Sequence, residues 1–128
     1  LIRRFSAHTQ VVSGLAFTPD GQTLVTASHD GTIKLWDTKT GDFAGTLTEN
    51  NNPLNHNNWI NAIAINPNGR ILASGGKQGV VQLWDLTTGK LLNTLEGHTD
   101  WVSTIAFSPD GKLFTSGGYD KRILVWRM

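Results

Sequence analysis

The chain is predicted to be all-β, made of three four-stranded antiparallel sheets stacked on one another. Two observations lead there. His8 to Trp36, His56 to Trp84 and His98 to Trp126 repeat one layout in register, each His 28 residues before its Trp, and the three stretches superpose without a gap. Within each stretch, short runs of β-branched, aromatic and small residues are separated by Pro, Asp, Asn and Gly at the same places, as expected of strands joined by tight turns. Trp36, Trp84 and Trp126 stand 48 and then 42 positions apart, which makes a repeating unit of about 42 residues with one insertion.

The elements follow in order. In the first unit the strand-like runs are Val11 to Phe17, Thr23 to Ala27, Thr32 to Trp36 and Phe43 to Leu47. Between the first two sits Pro19-Asp20-Gly21, matched by Pro67-Asn68-Gly69 and Pro109-Asp110-Gly111. Pro presets one turn torsion and Gly accepts another that L-residues resist, so these are tight hairpins. Asp30-Gly31 marks the next turn, and Thr40-Gly41 and Thr88-Gly89 the one after it. The first strand of each unit is apolar or small on both faces, as in Ile60, Ala62 and Ala64 opposite Ile63 and Ile65. Such a strand belongs inside a stack of sheets. The third strand alternates, with Ile33 and Leu35 on one face and Thr32, Lys34 and Trp36 on the other. Small residues at 14, 16, 62, 64 and 106 suit the narrow inner end of a wedge-shaped propeller blade.

The domain reading is one three-bladed segment over 1–128: an outer latch strand 1–5, blade one at 8–47, an Asn-rich inter-blade loop at 48–55, blade two at 56–95, and blade three at 98–128. Leu1 to Phe5 aligns with Leu91 to Leu95, so the chain opens on an outermost strand, whereas blade three has no fourth strand of its own. The expected completion of blade three is a 1–5 strand. A chain opening on Leu1 rather than Met points to an excised segment, a processed product or an engineered chain.

A period near this length, closing on Trp36-Asp37 and Trp84-Asp85, resembles the WD-repeat family of β-propellers. The likeness covers essentially the whole chain. Departures are visible: Gly97-His98 is matched by Ala7-His8 and Asn55-His56, and Trp126 is followed by Arg127. The resemblance implies a buried hydrogen-bond chain in each blade, running from Trp to a hydroxyl, to His, to Asp. A buried indole N–H needs an acceptor, and a carboxylate fixes the imidazole tautomer. Mapped onto this sequence, blade one supplies His8, Thr26, Asp30 and Trp36; blade two His56, Ser74, Gln78 and Trp84; blade three His98, Ser116, Asp120 and Trp126. Positions 26, 74 and 116 carry the hydroxyl in every unit, whereas Ser28 is matched by Gly76 and Gly118. Gln78 in place of Asp leaves the middle chain without a charged end, since an amide accepts more weakly than a carboxylate.

Repetition argues against catalysis. A Ser-His-Asp hydrolase needs one exposed nucleophile with one set of partners and an oxyanion hole, but here the constellation recurs at fixed phase and no G-x-S-x-G elbow occurs. Gly75-Gly76-Lys77 lacks the spacing of a phosphate loop. Three of the four His sit at equivalent points of different blades, without ligand spacing to one another. No catalytic residue, metal site or cofactor is expected.

The resemblance also implies a partner-binding rim, one and three residues after each His and one before each Asp. By this mapping it holds Thr9, Val11 and His29, then Asn57, Trp59 and Lys77, then Thr99, Trp101 and Tyr119. Aromatic residues are frequent interface anchors. The insertion, Glu49 to Asn58, has six Asn in ten residues and adds six residues between Leu47 and His56; it reads as a tolerated polar loop or as a contact loop.

Composition bounds the rest. Eleven basic against ten acidic residues give no footprint for nucleic acid or an anionic membrane. The absence of cysteine excludes disulfides and thiolate metal sites, and no signal peptide or long apolar run is seen. The expectation is a cytoplasmic, non-catalytic scaffold for a protein or peptide ligand. Two alternatives are a self-assembling propeller building block and a fragment of a larger WD-repeat protein. Rings hold roughly 4 to 8 blades, so three need company. Copies of this chain close as a nine-bladed homotrimer or a six-bladed homodimer, with Leu1 to Phe5 pairing with Ile123 to Trp126 of a neighbour.

Overall fold

The computed structural model describes residues 1–47 and 59–128. Eleven strands run β1 (Val12–Phe17), β2 (Thr23–Ser28), β3 (Ile33–Asp37), β4 (Phe43–Leu47), β5 (Ile60–Ile65), β6 (Ile71–Gly76), β7 (Val81–Asp85), β8 (Leu91–Leu95), β9 (Val102–Phe107), β10 (Leu113–Gly118) and β11 (Ile123–Arg127). They form three antiparallel meanders, β1-β2-β3-β4, β5-β6-β7-β8 and β9-β10-β11. The hairpin turns are built as their residues dictate. Gly21, Gly69 and Gly111 hold φ of 72°, 76° and 72° after the Pro, and the Asp20 carboxylate accepts from the Thr18 hydroxyl and the Gln22 amide. Asp110 does the same with Ser108 and Lys112.

The sheets stack through two apolar seams. One face of the first sheet, with Val25, Ala27, Ile33 and Leu47, packs on Leu72 and Trp84 of the second, backed by Ile63 and Ile65. The opposite face of the second sheet, with Ala62, Ala73, Val81 and Leu83, packs on Val102, Ile105 and Phe114 of the third, backed by Phe107 and Trp126. Small residues set how closely the inner strands approach. A methyl group on Gly14 would come within 3.0 Å of Ile63, and one on Gly75 within 2.6 Å of Val102.

In the single chain residues 1–8 form no strand, and the third sheet has three strands. Instead Arg3 donates to the carbonyl oxygens of Thr40 and Lys39 at 2.7 and 2.9 Å, and Phe5 lies 4.8 Å from the Trp36 ring. The edge that 1–5 would pair with, β11, belongs to the far end of the stack, so the segment settles on blade one. The first strands are also not buried on both faces throughout. Leu15 and Phe17 of β1 are each 65% exposed, and Ser103, Thr104 and Ala106 of β9 are exposed as well, because the end sheets have a neighbour on one side only.

Gly75→Ala is expected to destabilise by about 1 to 3 kcal/mol, since the added methyl overpacks the seam against Val102 and Ile105. Gly45→Ala, with nothing within 4 Å of the added methyl, should cost far less. Urea unfolding of both variants checks the order.

Candidate functional site: an aromatic rim over buried hydrogen-bond chains

The repeated side chains form two layers, the deeper one polar and closed. In blade one Trp36 Nε1 donates to Thr26 Oγ1 at 3.0 Å, His8 Nε2 lies 2.7 Å from the same hydroxyl, and His8 Nδ1 lies 3.0 Å from Asp30. Blade three repeats this with Trp126 Nε1 on Ser116 Oγ at 2.9 Å, His98 Nε2 at 2.7 Å from that oxygen, and His98 Nδ1 at 3.0 Å from Asp120. The indole can only donate, so each hydroxyl accepts from Trp and passes its own proton toward His Nε2. That leaves Nδ1–H to donate to the carboxylate.

Both carboxylates are held below their ordinary pKa. For Asp30, desolvation pushes upward and is outweighed by the Thr32 hydroxyl and amide, the Thr9 amide and His8. For Asp120, desolvation is likewise outweighed, by the Thr99 and Arg122 amides and by His98. In blade two Trp84 Nε1 donates to Ser74 Oγ at 2.9 Å. His56 lies outside the described residues, as do Asn57 and the loop 48–55. Gln78 is exposed.

The upper layer is aromatic. The turn after the second strand of each blade carries a backbone amide that bonds back to the segment before the first strand: His29 N to Val11 O, Lys77 N to Trp59 O and Tyr119 N to Trp101 O, at 3.0, 2.9 and 2.8 Å. These bonds fix the rim positions in pairs, and blade stacking brings the pairs together. His29 stacks on Trp59 with centroids 4.2 Å apart and planes at 2°. Trp59 meets Trp101 edge to face at 5.4 Å, and Trp101 stacks on Tyr119 at 5.4 Å. Lys77 Nζ sits 5.2 Å from the Trp59 centroid and 5.8 Å from that of Trp101. Tyr119 is 59% exposed, while Trp59, Trp101 and His29 are half-buried. Thr9, Val11 and Thr99 are exposed beside this run and contribute no ring to it.

Residue-type reasoning missed three things. The Ser13 hydroxyl donates to the Ile60 carbonyl, bridging blades one and two. Asn66 Nδ2 donates to Gly111 O at 3.0 Å, bridging blades two and three. Thr32 joins the first buried chain, its hydroxyl 3.0 Å from His8 Nδ1. A signal existed for the first of these, because Ser13, Asn61 and Ser103 are polar residues at one phase of the three first strands. Among the described residues no group of three His, Asp or Glu side chains could hold a metal ion, and no helix is long and apolar enough to cross a membrane.

Antiparallel wedges stacked through apolar faces, each pinned by a Trp-to-hydroxyl bond, define a segment of a β-propeller. The repeat described as "WD domain, G-beta repeat" matches residues 1–37, 48–85 and 89–127, and the chain belongs to that family. It is 46% identical over 46 residues to ribosome assembly protein 4 of Saccharomyces cerevisiae, covering 36% of this chain and 9% of that protein. It is 49% identical over 45 residues to the denticleless protein homolog of Xenopus tropicalis, covering 35% and 6%. The solved structure of U3-55K superposes with a TM-score of 0.89 at 27% identity, over 96% of this chain and 38% of that one. The RRP9 WD40 repeats superpose at 0.88 and 26% identity, over 96% and 37%. The chain thus spans a small part of the relatives it matches.

Asp120→Ala should lower the melting temperature more than Gln78→Ala, because it strips the carboxylate from buried His98 whereas Gln78 is exposed. A depressed carboxylate contributes stability that is complete above the unfolded pKa, near 4, and is lost as pH falls through the lower folded value. The gap between the two variants should therefore narrow below about pH 4, which thermal melts across pH can follow.

Proposed function

We propose that this chain is a non-catalytic platform that binds a protein or peptide segment across the rim formed by His29, Trp59, Lys77, Trp101 and Tyr119, with Val11, Thr9 and Thr99 at its border. The observation that carries this reading is the unbroken contact His29–Trp59–Trp101–Tyr119, which crosses three blades. Aromatic side chains offer a large contact area for little conformational entropy and dominate binding hot spots. The repeated Ser/Thr-His-Asp groups serve as internal braces, since their hydroxyls and imidazoles are engaged with Trp and carboxylate partners. The near-balance of charge supports a partner that is neither nucleic acid nor an anionic membrane. Peptides selected from a random library on the chain should lose affinity on Trp59→Ala/Trp101→Ala and on Tyr119→Ala by about tenfold or more. Selected peptides indifferent to all three substitutions would place binding elsewhere.

A second reading rests on the two open ends of the stack. Leu15 and Phe17 on blade one occupy the repeat positions of Ile63 and Ile65, which the first seam covers. Ile123 and Val125 on blade three occupy those of Val81 and Leu83, which the second seam covers, yet they are 76% and 64% exposed. The two ends therefore carry the two halves of one seam. Phe5 on Trp36 stands where Leu47 meets Trp84 and Leu95 meets the cluster around Trp126. This supports head-to-tail closure by further blades, and for copies of this chain a homotrimer or homodimer in which 1–5 completes a neighbour's third blade. Native mass spectrometry should then return two or three chains; a monomer at micromolar concentration would overturn it.

A further inference from the structure

Resting on the rim reading above, the pattern of committed and uncommitted polar groups leads further. We infer that the rim takes an extended acidic peptide segment, one of whose carboxylates pairs with Lys77.

The ring faces are largely spent on one another: His29 covers Trp59, and Tyr119 covers Trp101. The carboxylates nearby are engaged. Asp30 accepts from His8, Thr9 and Thr32, Asp120 from His98, Thr99 and Arg122, and Asp100 from the Trp101 amide at 2.8 Å. Lys77 and the two indoles supply groups that can only donate. Among the described residues the Trp59 and Trp101 indole N–H groups and the Tyr119 hydroxyl make no hydrogen bond, and exposed Lys77 forms no ion pair. Lys77 is held by two indoles at 5.2 and 5.8 Å. An ammonium fixed over aromatic rings has already lost part of its rotamer freedom, so pairing with an anion costs less ordering than at a free surface lysine. The run of four rings is at most about 15 Å long, the reach of about four to five extended residues.

The test uses the full chain and three blocked peptides, penta-glutamate, penta-glutamine and penta-lysine, read by tryptophan fluorescence. Penta-glutamate should bind about five- to tenfold more tightly than penta-glutamine, and penta-lysine more weakly than either. Lys77→Ala should abolish the difference between the first two, Lys77→Arg should keep it, and added salt should shrink it. Equal binding of penta-glutamate and penta-glutamine, with both lost in Tyr119→Ala, would overturn the acidic preference while leaving the rim as the binding surface. Penta-glutamate binding unchanged in Tyr119→Ala and in Trp59→Ala/Trp101→Ala would overturn both. A glutamate preference that survives Lys77→Ala would assign it to other cations and overturn the role given to Lys77.

Discussion

A four-stranded sheet of this kind has apolar side chains on both faces and no helix to cover either, so it can leave water only by lying against another sheet of the same shape. Every other feature of the molecule answers to that constraint. The Gly and Ala residues on the facing surfaces let neighbouring backbones approach, with Gly14 close to Ile63 and Gly75 close to Val102. The Trp of each later blade sits under the outer strand of the blade before it, as Leu47 against Trp84 shows. Once its ring is covered there, the indole N–H has to find an acceptor inside the blade, and Ser74 and Ser116 provide it, as Thr26 does for Trp36, which Phe5 and Phe43 flank. The polar chains are therefore a consequence of apolar stacking.

The rim is a consequence of the same stacking, one level up. Each pair of rim residues is fixed within its own blade by one backbone hydrogen bond, as Lys77 is to Trp59. The rings meet only because adjacent blades bring their pairs side by side, so the surface exists at the seams and in no single repeat. The positions on which it stands are set by two turns, and the residue types at those positions are free to differ from blade to blade, as Val11, Trp59 and Trp101 do.

Much of this was legible in the sequence because it is local or periodic. The Pro-Asp-Gly and Pro-Asn-Gly turns announced their hairpins, and the strand limits fall within a residue of where the β-branched runs begin and end, as at Phe43–Leu47. Fixed phase singled out position 26 over 28 as the hydroxyl partner, and the Trp36 bond lies on Thr26. The parts that were not legible depend on who stands beside whom. Leu1 to Phe5 aligns with an outer strand whose expected edge lies on the third blade of a neighbour, but the alignment does not say where the segment rests in a single chain, with Phe5 on Trp36 and Arg3 on the Thr40 turn. Nor does spacing reveal that His29 would lie flat on Trp59, since that depends on the tilt between two blades. Lys121 is a different kind of surprise: it holds φ of 68° where Gly31 and Gly79 serve the other blades, so the third turn keeps its shape against the preference of its residue.

The aromatic run crosses both seams, and that placement ties occupancy to cohesion. A ligand lying along it would touch three blades at once and act as a strap over two joints that are otherwise held by side-chain packing and a few cross-blade hydrogen bonds such as Asn66 to Gly111. By mass action, whatever binds only the assembled arrangement also raises the cost of pulling it apart. The blades and the ligand would then share one equilibrium: loosening a seam weakens the grip, and filling the rim tightens the seams.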